Sequence, residues 1–283
     1  MTDRIEKIGR SIVQHGSYNR RAYLMKLYDQ DVIHILPALD CLAHDNHYEK
    51  ILAKVPSGSK TVFERQGYIQ EAVIPGYFNN REHAFFMCKY LSSGRRQITG
   101  CQKIQEILSL AKQQGLLPSK KNSTQPVNIR ICGPEDVGKM SRVFKSVFKT
   151  YPFPIFDADY LATVIKNKQA IYFCMENGRQ INAIAASEID SDNKGVEMTD
   201  FATLPGYRGQ GLAGCLLEDM ERAMKGQGMK TAFSIARALS PGMNILFAKK
   251  GYAFGGTLAN NTQISGHIES MNVWYKSLGA SLD

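Results

Sequence analysis

An α/β (α+β) fold with a mixed, mostly antiparallel sheet is what this sequence predicts, and three observations predict it. Strand-like and helix-like segments alternate through the second half of the chain. A glycine-rich turn joins one of those strands to an amphipathic helix. A short motif, Phe63-x-x-x-Gly67-Tyr68, recurs as Phe247-x-x-x-Gly251-Tyr252 within a matching order of elements.

In the first half, residues 22–27 read as a strand, 32–43 as a helix and 51–55 as a strand. The first copy of the motif follows, then turn residues and an apolar strand closing at Lys89 and Leu91. The order β-α-β-α-β-β matches the last six elements of the second half, which close at Lys276 and Leu278. The first half therefore reads as a truncated copy of the second.

Residues 93–126 form a linker with one short helical pattern (Ile104, Ile107, Leu108, Ala111) and a polar stretch at 118–126. Three segments result: 1–92, a truncated domain; 93–126, the linker; and 127–283, the larger domain. In the last, 127–132 is an expected strand, and Pro134-Glu135-Asp136 opens a helix carrying Met140, Val143 and Phe144. A second helix runs through Leu161 and Val164, and strands follow at 170–175, 181–189 and 196–204. The helix 212–224, the strand 231–236, the helix 243–250 and a terminal β pair ending near Trp274 complete the chain.

With 283 residues, 43% apolar and 22% charged, the chain has the composition of a soluble globular protein. Asp3, Glu6 and Arg10 interrupt any signal-like start, and no apolar run approaches bilayer length, so a cytoplasmic protein without membrane contact is expected. Six cysteines without a C-x-x-C pair, and six histidines without metal spacing, predict neither a disulfide framework nor a metal site. The net charge of +9 is concentrated in residues 1–125, which carry 18 Lys/Arg against 11 Asp/Glu. Those positives are dispersed and lack an aromatic-plus-basic RNA motif, so nucleic acid is not the expected partner. A basic surface also favours a polyanionic cofactor.

The chemistry concentrates in Glu197-Met198-Thr199-Asp200-Phe201-Ala202-Thr203-Leu204-Pro205-Gly206-Tyr207-Arg208-Gly209-Gln210-Gly211-Leu212-Ala213. A strand ends at Leu204, Pro205-Gly206 turns the chain, and a helix begins at Leu212. The first amides of a helix lack intrahelical partners and sit at its positive end, which suits a phosphate or pyrophosphate. Gly209 and Gly211 let an anion approach the backbone, and Arg208 adds a cationic donor. The loop has neither G-x-G-x-x-G nor Gly-Lys-Ser/Thr, so it is not a dinucleotide or P-loop fingerprint. The corresponding turn of the first half, Tyr28-Asp29-Gln30-Asp31, has two carboxylates and no glycine, so one cofactor site per chain is expected.

The pattern R-x-x-G-x-A at 208–213, followed by M-N-x-x-F-x-x-x-G-Y at 243–252, resembles the GNAT superfamily of N-acetyltransferases over about residues 127–278. The resemblance implies a GNAT fold in the C-terminal part, preceded by a truncated GNAT-like domain that is structural, dimer-forming or acceptor-shaping. It implies acetyl-CoA as co-substrate, with its diphosphate on Arg208, Gly209, Gln210, Gly211, Leu212 and Ala213. The pantetheine arm would bond backbone at Ala202, Thr203 and Leu204, with Asn244 and Phe247 on the helix flanking its other side. A resemblance to β-lysine N6-acetyltransferases runs over nearly the whole chain, through 13–16, 21–27, 67–77 and 198–205. It implies acetylation of the side-chain amine of β-lysine to make an osmolyte, and a pathway neighbour, lysine 2,3-aminomutase, that supplies the substrate.

A lysine-type amine with a pKa near 10.4 costs about 4.6 kcal/mol to deprotonate at pH 7. A base is therefore useful. Glu197 and Asp200 lie on the strand beside the expected acetyl group, on opposite faces unless a bulge intervenes. Glu197 lies eleven residues before Arg208, the spacing of the base in histone-acetylating relatives, and ranks first; either residue also reads as a strand-edge carboxylate in a salt bridge. Phe247 stands where many family members have a tyrosine acid, leaving water, Tyr252 or no acid at all. Arg237, with Tyr151 and Phe153 of the aromatic segment 151–156, is the expected acceptor pocket, surface charge and packing being the alternative. A polyamine, amino sugar or protein lysine remains an alternative acceptor, and a non-catalytic acetyl-CoA sensor an alternative of another class.

Overall fold

The computed structural model describes residues 3–117, 128–178 and 180–279. The polar stretch 118–126, and residue 127 where a strand was expected to begin, lie outside them. The first half runs β1 (Arg4–Ile8), β2 (Ser11–Gly16), β3 (Arg21–Lys26), α1 (Val32–Asp45), β4 (Lys50–Pro56), α2 (Ser57–Arg65), β5 (Ile69–Phe78) and β6 (Glu82–Tyr90). Two helices follow, α3 (Ser93–Arg96) and α4 (Cys101–Gly115). The second half opens with β7 (Ile129–Ile131), α5 (Val137–Val147) and α6 (Ala158–Lys166). It continues with β8 (Ala170–Asn177), β9 (Gln180–Asp190), β10 (Gly195–Thr203) and α7 (Leu212–Gly226). It closes with β11 (Thr231–Arg237), α8 (Pro241–Lys249), β12 (Ala253–Ile264) and β13 (His267–Ser277). No helix among the described residues is long and apolar enough to cross a membrane.

The strands form one sheet in the order β1-β2-β3-β4-β6-β5-β12-β13-β11-β10-β9-β8-β7. Among the described residues only β3–β4 and β10–β11 pair in parallel. The order is palindromic: β1 to β6 and β8 to β13 have the same succession of strands and helices, and equivalent edge strands, β5 and β12, meet at the centre. The first half is therefore less truncated than the sequence suggests. Its hairpin β1–β2 matches β8–β9, and it lacks only counterparts of β7, α5 and α6. That hairpin escapes a sequence reading because β1 is an edge strand, charged and mostly exposed, with little apolar alternation.

Glycine decides how the halves join. At the single registered pair between β12 and β5, Gly256 lies opposite Ala72, and a Cβ there would overlap the Glu71 carbonyl oxygen and Ala72 itself. Its φ of 142° is also foreign to other residues. Behind the junction, Leu52, Ile74, Tyr77 and Phe86 pack with Phe233, Leu258 and Val273 in one core shared by both halves. Each such side chain contributes about 1.5–3 kcal/mol when fully buried. Lys50, fully buried, donates to Glu71 Oε2 at 2.8 Å and to the Ala259 carbonyl at 2.7 Å, a bond that crosses the seam. Another crossing runs from the Tyr77 hydroxyl to Asp190 Oδ2 at 2.8 Å.

In the second half, α7 turns Leu216, Leu217, Met220 and Met224 onto one buried face, the spacing of an amphipathic helix. They pack on Phe173, Met198 and Phe247. That packing fixes where the N-terminus of α7 points, and so places the loop before it.

Candidate active site

β10 and β11 pair only at Gly195–Thr231, Val196–Ala232 and Glu197–Phe233. Beyond that point β10 runs on to Thr203 and β11 to Arg237 without further pairing, so the sheet opens into a V. On its other side β10 stays paired with β9, with a register shift between Thr199 and Ala202. Asp200 sits in this bulge with a φ of 55°, in the left-handed region that non-glycine residues seldom occupy. The extra residue resets the alternation of the strand. Glu197 and Asp200, which a regular strand would put on opposite faces, both line one cavity of about 410 Å³ beside the V.

The register sets Glu197 directly opposite Glu188 of β9. Glu188, Glu197 and Asp200 therefore line one cavity together, and Lys54 of β4 reaches it from the first half. Burial lifts the Glu197 carboxyl to about 7, reinforced by Asp200 and opposed by Lys54. Burial lifts Asp200 to about 6, opposed by hydrogen bonds from Tyr151, Thr199 and Tyr172. Glu188 is raised well above the carboxylate range by burial and by its two acidic neighbours. Lys54 is lowered by burial, against the pull of Asp190 and Glu197. A carboxyl lifted to about 7 can take up and release a proton near neutrality, the condition a general base requires.

The expected acceptor residues are partly reunited here. The Tyr151 hydroxyl donates to Asp200 Oδ1 at 2.6 Å, and Phe153 stands on the same wall. Arg237 also reaches the cavity, but its guanidinium forks onto Glu269, with Nε–Oε2 at 2.9 Å and a second contact at 2.5 Å. Glu269 is 1% exposed, so this pair is already matched and Arg237 is no free anchor for a carboxylate.

Two of the expected cofactor residues point into the core. Asn244 is fully buried. Its amide donates to the carbonyls of Ser240 (2.7 Å) and Arg237 (3.0 Å), and its oxygen accepts from Asn272 Nδ2 (2.8 Å) and Trp274 Nε1 (2.9 Å). Every capacity of the side chain is spent tying α8 to β11 and β13. Phe247 is likewise fully buried, edge-on between Phe201 and Tyr252. It fills core behind the cavity wall, and Tyr252 packs in the same core.

The loop lies beyond the open end of the V. Gly209 and Gly211 take φ of 77° and 76°, and Gly211 caps α7. No acceptor within the described residues takes the amides of residues 209–213, and no acidic side chain occupies the first turn of α7. Arg208 is exposed, its Nε 3.2 Å from the Thr203 carbonyl. Ala202 is 1% exposed, while Thr203 and Leu204 are half-buried.

The first half supplies side chains that the sequence reading did not assign to a site: Gln14, Arg21, Tyr23, Lys26, Lys54 and Tyr77 all line the cavity. One signal was present. Lys54 interrupts an otherwise apolar strand, Ile51-Leu52-Ala53-Lys54-Val55, where a lysine needs a reason. The geometry thus comprises an anion-receptive helix start, a cleft between parting strands, and an acidic chamber with a buried lysine.

The acetyltransferase (GNAT) family model matches residues 139–252. The chain is 38% identical over 274 residues to the beta-lysine N(6)-acetyltransferase of Methanococcus maripaludis, covering 97% of this chain and 98% of that protein. It is 33% identical to the N-acetyltransferase YodP of Bacillus subtilis, covering 95% and 96% respectively. The beta-lysine N(6)-acetyltransferase of Methanosarcina mazei is 27% identical over 263 residues, covering 86% of this chain and 97% of that protein. The splayed parallel pair, the bared helix start beside it and these whole-length likenesses lead to one conclusion: the chain is an acyltransferase belonging to the GNAT family of N-acetyltransferases.

Proposed function

We propose that this enzyme transfers the acetyl group of acetyl-CoA to the N6 amine of β-lysine, giving N6-acetyl-β-lysine, an osmolyte, in the cytoplasm. The observation that carries this reading is the acidic chamber at the opening between β10 and β11, in a chain that is similar along its whole length to beta-lysine N(6)-acetyltransferases.

The diphosphate of the coenzyme would lie on the amides of residues 209–213 with Arg208, and the pantetheine arm would run along the side of β10 that faces β11, at Ala202, Thr203 and Leu204, into the V. The thioester supplied by bound acetyl-CoA is the electrophile. Glu197, held near 7, takes the proton that the ammonium must lose, worth about 4.6 kcal/mol at pH 7 for a lysine-type amine. Asp200, braced by Tyr151, keeps a second negative charge beside that ammonium. Phe247 supplies no proton, and a thiolate is a fair leaving group without one. No metal is assigned a role. A homodimer and an aminomutase acting before this enzyme remain parts of the proposal drawn from family resemblance.

The test is a comparison of kcat/KM for β-lysine, α-lysine, spermidine and a lysine-containing peptide with acetyl-CoA. β-Lysine should lead; preference for the peptide overturns the substrate. Thiol release absent with every amine would instead favour a coenzyme sensor.

A further inference from the structure

We infer that Arg21 and Gln14, on neighbouring strands of the first half, form the subsite that takes the acceptor's carboxylate, so that this half selects amino-acid acceptors over plain diamines. The inference rests on the reading of the cavity as an acetyl-acceptor chamber and names what holds the acceptor's other end.

Arg21 lines the cavity and is 4% exposed. Its guanidinium donates to the Asn261 carbonyl at 2.7 Å, to Gln14 Oε1 at 3.3 Å and to Thr262 Oγ1 at 3.4 Å, all neutral acceptors. No carboxylate among the described residues lies within ion-pair distance of it. Among the described residues the other two buried cations are matched, Lys50 by Glu71 at 2.8 Å and Arg95 by Glu49 at 3.0 Å, and the partly exposed Arg237 is paired with Glu269 at 2.5 Å. A buried charge without a counter-ion is costly, and is kept where a ligand provides one.

Two donors remain idle at this point. Arg21 Nε and Gln14 Nε2 are both buried without any acceptor. The contact between Gln14 Oε1 and Arg21 fixes which way the Gln14 amide faces, leaving its NH₂ group free. A planar guanidinium beside an amide donor matches a carboxylate fork. The Tyr23 ring, two residues along the same face of β3, lies 5.1 Å from the guanidinium carbon and helps hold its plane. Burial pushes the guanidinium down to about 10, so it is still charged at neutral pH. The cavity therefore has a cationic wall from the first half and an acidic wall from Glu188, Glu197 and Asp200 of the second. An acceptor with a carboxylate at one end and an amine at the other matches both.

The experiment uses the full-length enzyme with β-lysine, its primary amide and pentane-1,4-diamine, the last being β-lysine without its carboxyl group. Wild type should favour the acid over the amide. In Arg21→Met the KM for the acid should rise roughly 100-fold with a much smaller change in kcat, and the acid-to-amide ratio should fall toward one. Arg21→Lys should recover part of that ratio, and unchanged acetyl-CoA affinity shows that the variants are folded. Should Arg21→Met fail to fold, Gln14→Glu carries the test, because a carboxylate there neutralises the guanidinium and repels the acceptor's. If wild type ignores β-lysine but uses α-lysine or ornithine, the substrate proposal fails and the same ratio is read against cadaverine or putrescine. Equal use of acids and their decarboxylated counterparts, or an undiminished ratio in folded Arg21→Met, overturns the subsite while leaving acetyl transfer intact.

Discussion

The two halves of this protein place a strand-to-helix turn at equivalent points of the same fold, and the turns do opposite things. After β10 the chain passes through Gly209 and Gly211 and leaves the amides of residues 209–213 bare at the start of α7. After β3 it passes through Asp29 and Asp31 instead. There the Asp31 carboxylate accepts from the Arg10 and Ser11 amides, each at 2.8 Å, and from the Ser11 hydroxyl at 2.7 Å. A carboxylate of the chain itself thus occupies the turn and serves the β1–β2 hairpin. The strands differ in the same sense. β3 stays paired with β4 through Leu24–Ala53, close to its end, whereas β10 leaves β11 at Glu197 and continues to Thr203. Duplicated architecture thus carries one turn with bare amides and one filled by a carboxylate of the chain, and side chains of the first half line the far side of the chamber.

Four measurements break or sharpen this contrast. The largest effect belongs to the loop. Arg208→Ala combined with Gly211→Asp should weaken acetyl-CoA binding by at least about 100-fold, read by calorimetry on a chain whose circular dichroism is unchanged. Untouched affinity would remove the distinction between the two turns altogether.

Next comes Glu197→Gln, expected to lower kcat/KM by about 10²–10⁴ while coenzyme affinity holds. In wild type, kcat/KM should fall as pH drops below about 7, because the protonated carboxyl accepts nothing. The variant should lose that limb. Stability offers an independent sign. Burial raises this carboxyl, so the folded state binds its proton more tightly than the unfolded state. The wild-type protein is therefore penalised as pH rises from the usual carboxylate range through about 7. Glu197→Gln should gain in Tm relative to wild type at pH 8 and not at pH 4; a uniform offset would deny that Glu197 is strained by burial.

A smaller change is expected from Asn244→Ala. Losing the ties to Ser240, Arg237, Asn272 and Trp274 should cost about 2 kcal/mol of stability, seen in denaturant melts. Coenzyme affinity measured on the folded fraction should stay within twofold; a selective loss of affinity would return Asn244 to the cofactor site. The least effect on turnover should follow Phe247→Tyr. The added hydroxyl enters a filled core behind Phe201, so roughly 1–3 kcal/mol of overpacking is expected without faster thiol release. A rise in kcat would show that a proton donor at this position reaches the leaving sulfur.

What could be read from residues in order was whatever contiguous chain determines. The helix start at Leu212, the glycines before it, the element order of the second half and the repeat marked by Phe63 and Phe247 were all visible, because turn and helix preferences act over a few neighbours. The family resemblance rested on these same stretches. Asn244 and Phe247 show the limit. The family resemblance implied a place beside the cofactor, and only the packing of α8 on β13 shows where their side chains point. Arg237 shows it too, since Glu269 lies on β13, a different strand.

The amino-acid order alone determined that one turn carries Gly209 and Gly211 and its counterpart Asp29 and Asp31. The three-dimensional arrangement decided the rest: the bulge at Asp200 that brings two carboxylates to one side, the facing of Glu188 by Glu197, and the meeting of β5 with β12 across Gly256. The physical reason is range. Backbone preference is local, whereas charge pairing and cavity shape depend on which distant strands share a register, and that is settled only when the whole sheet forms.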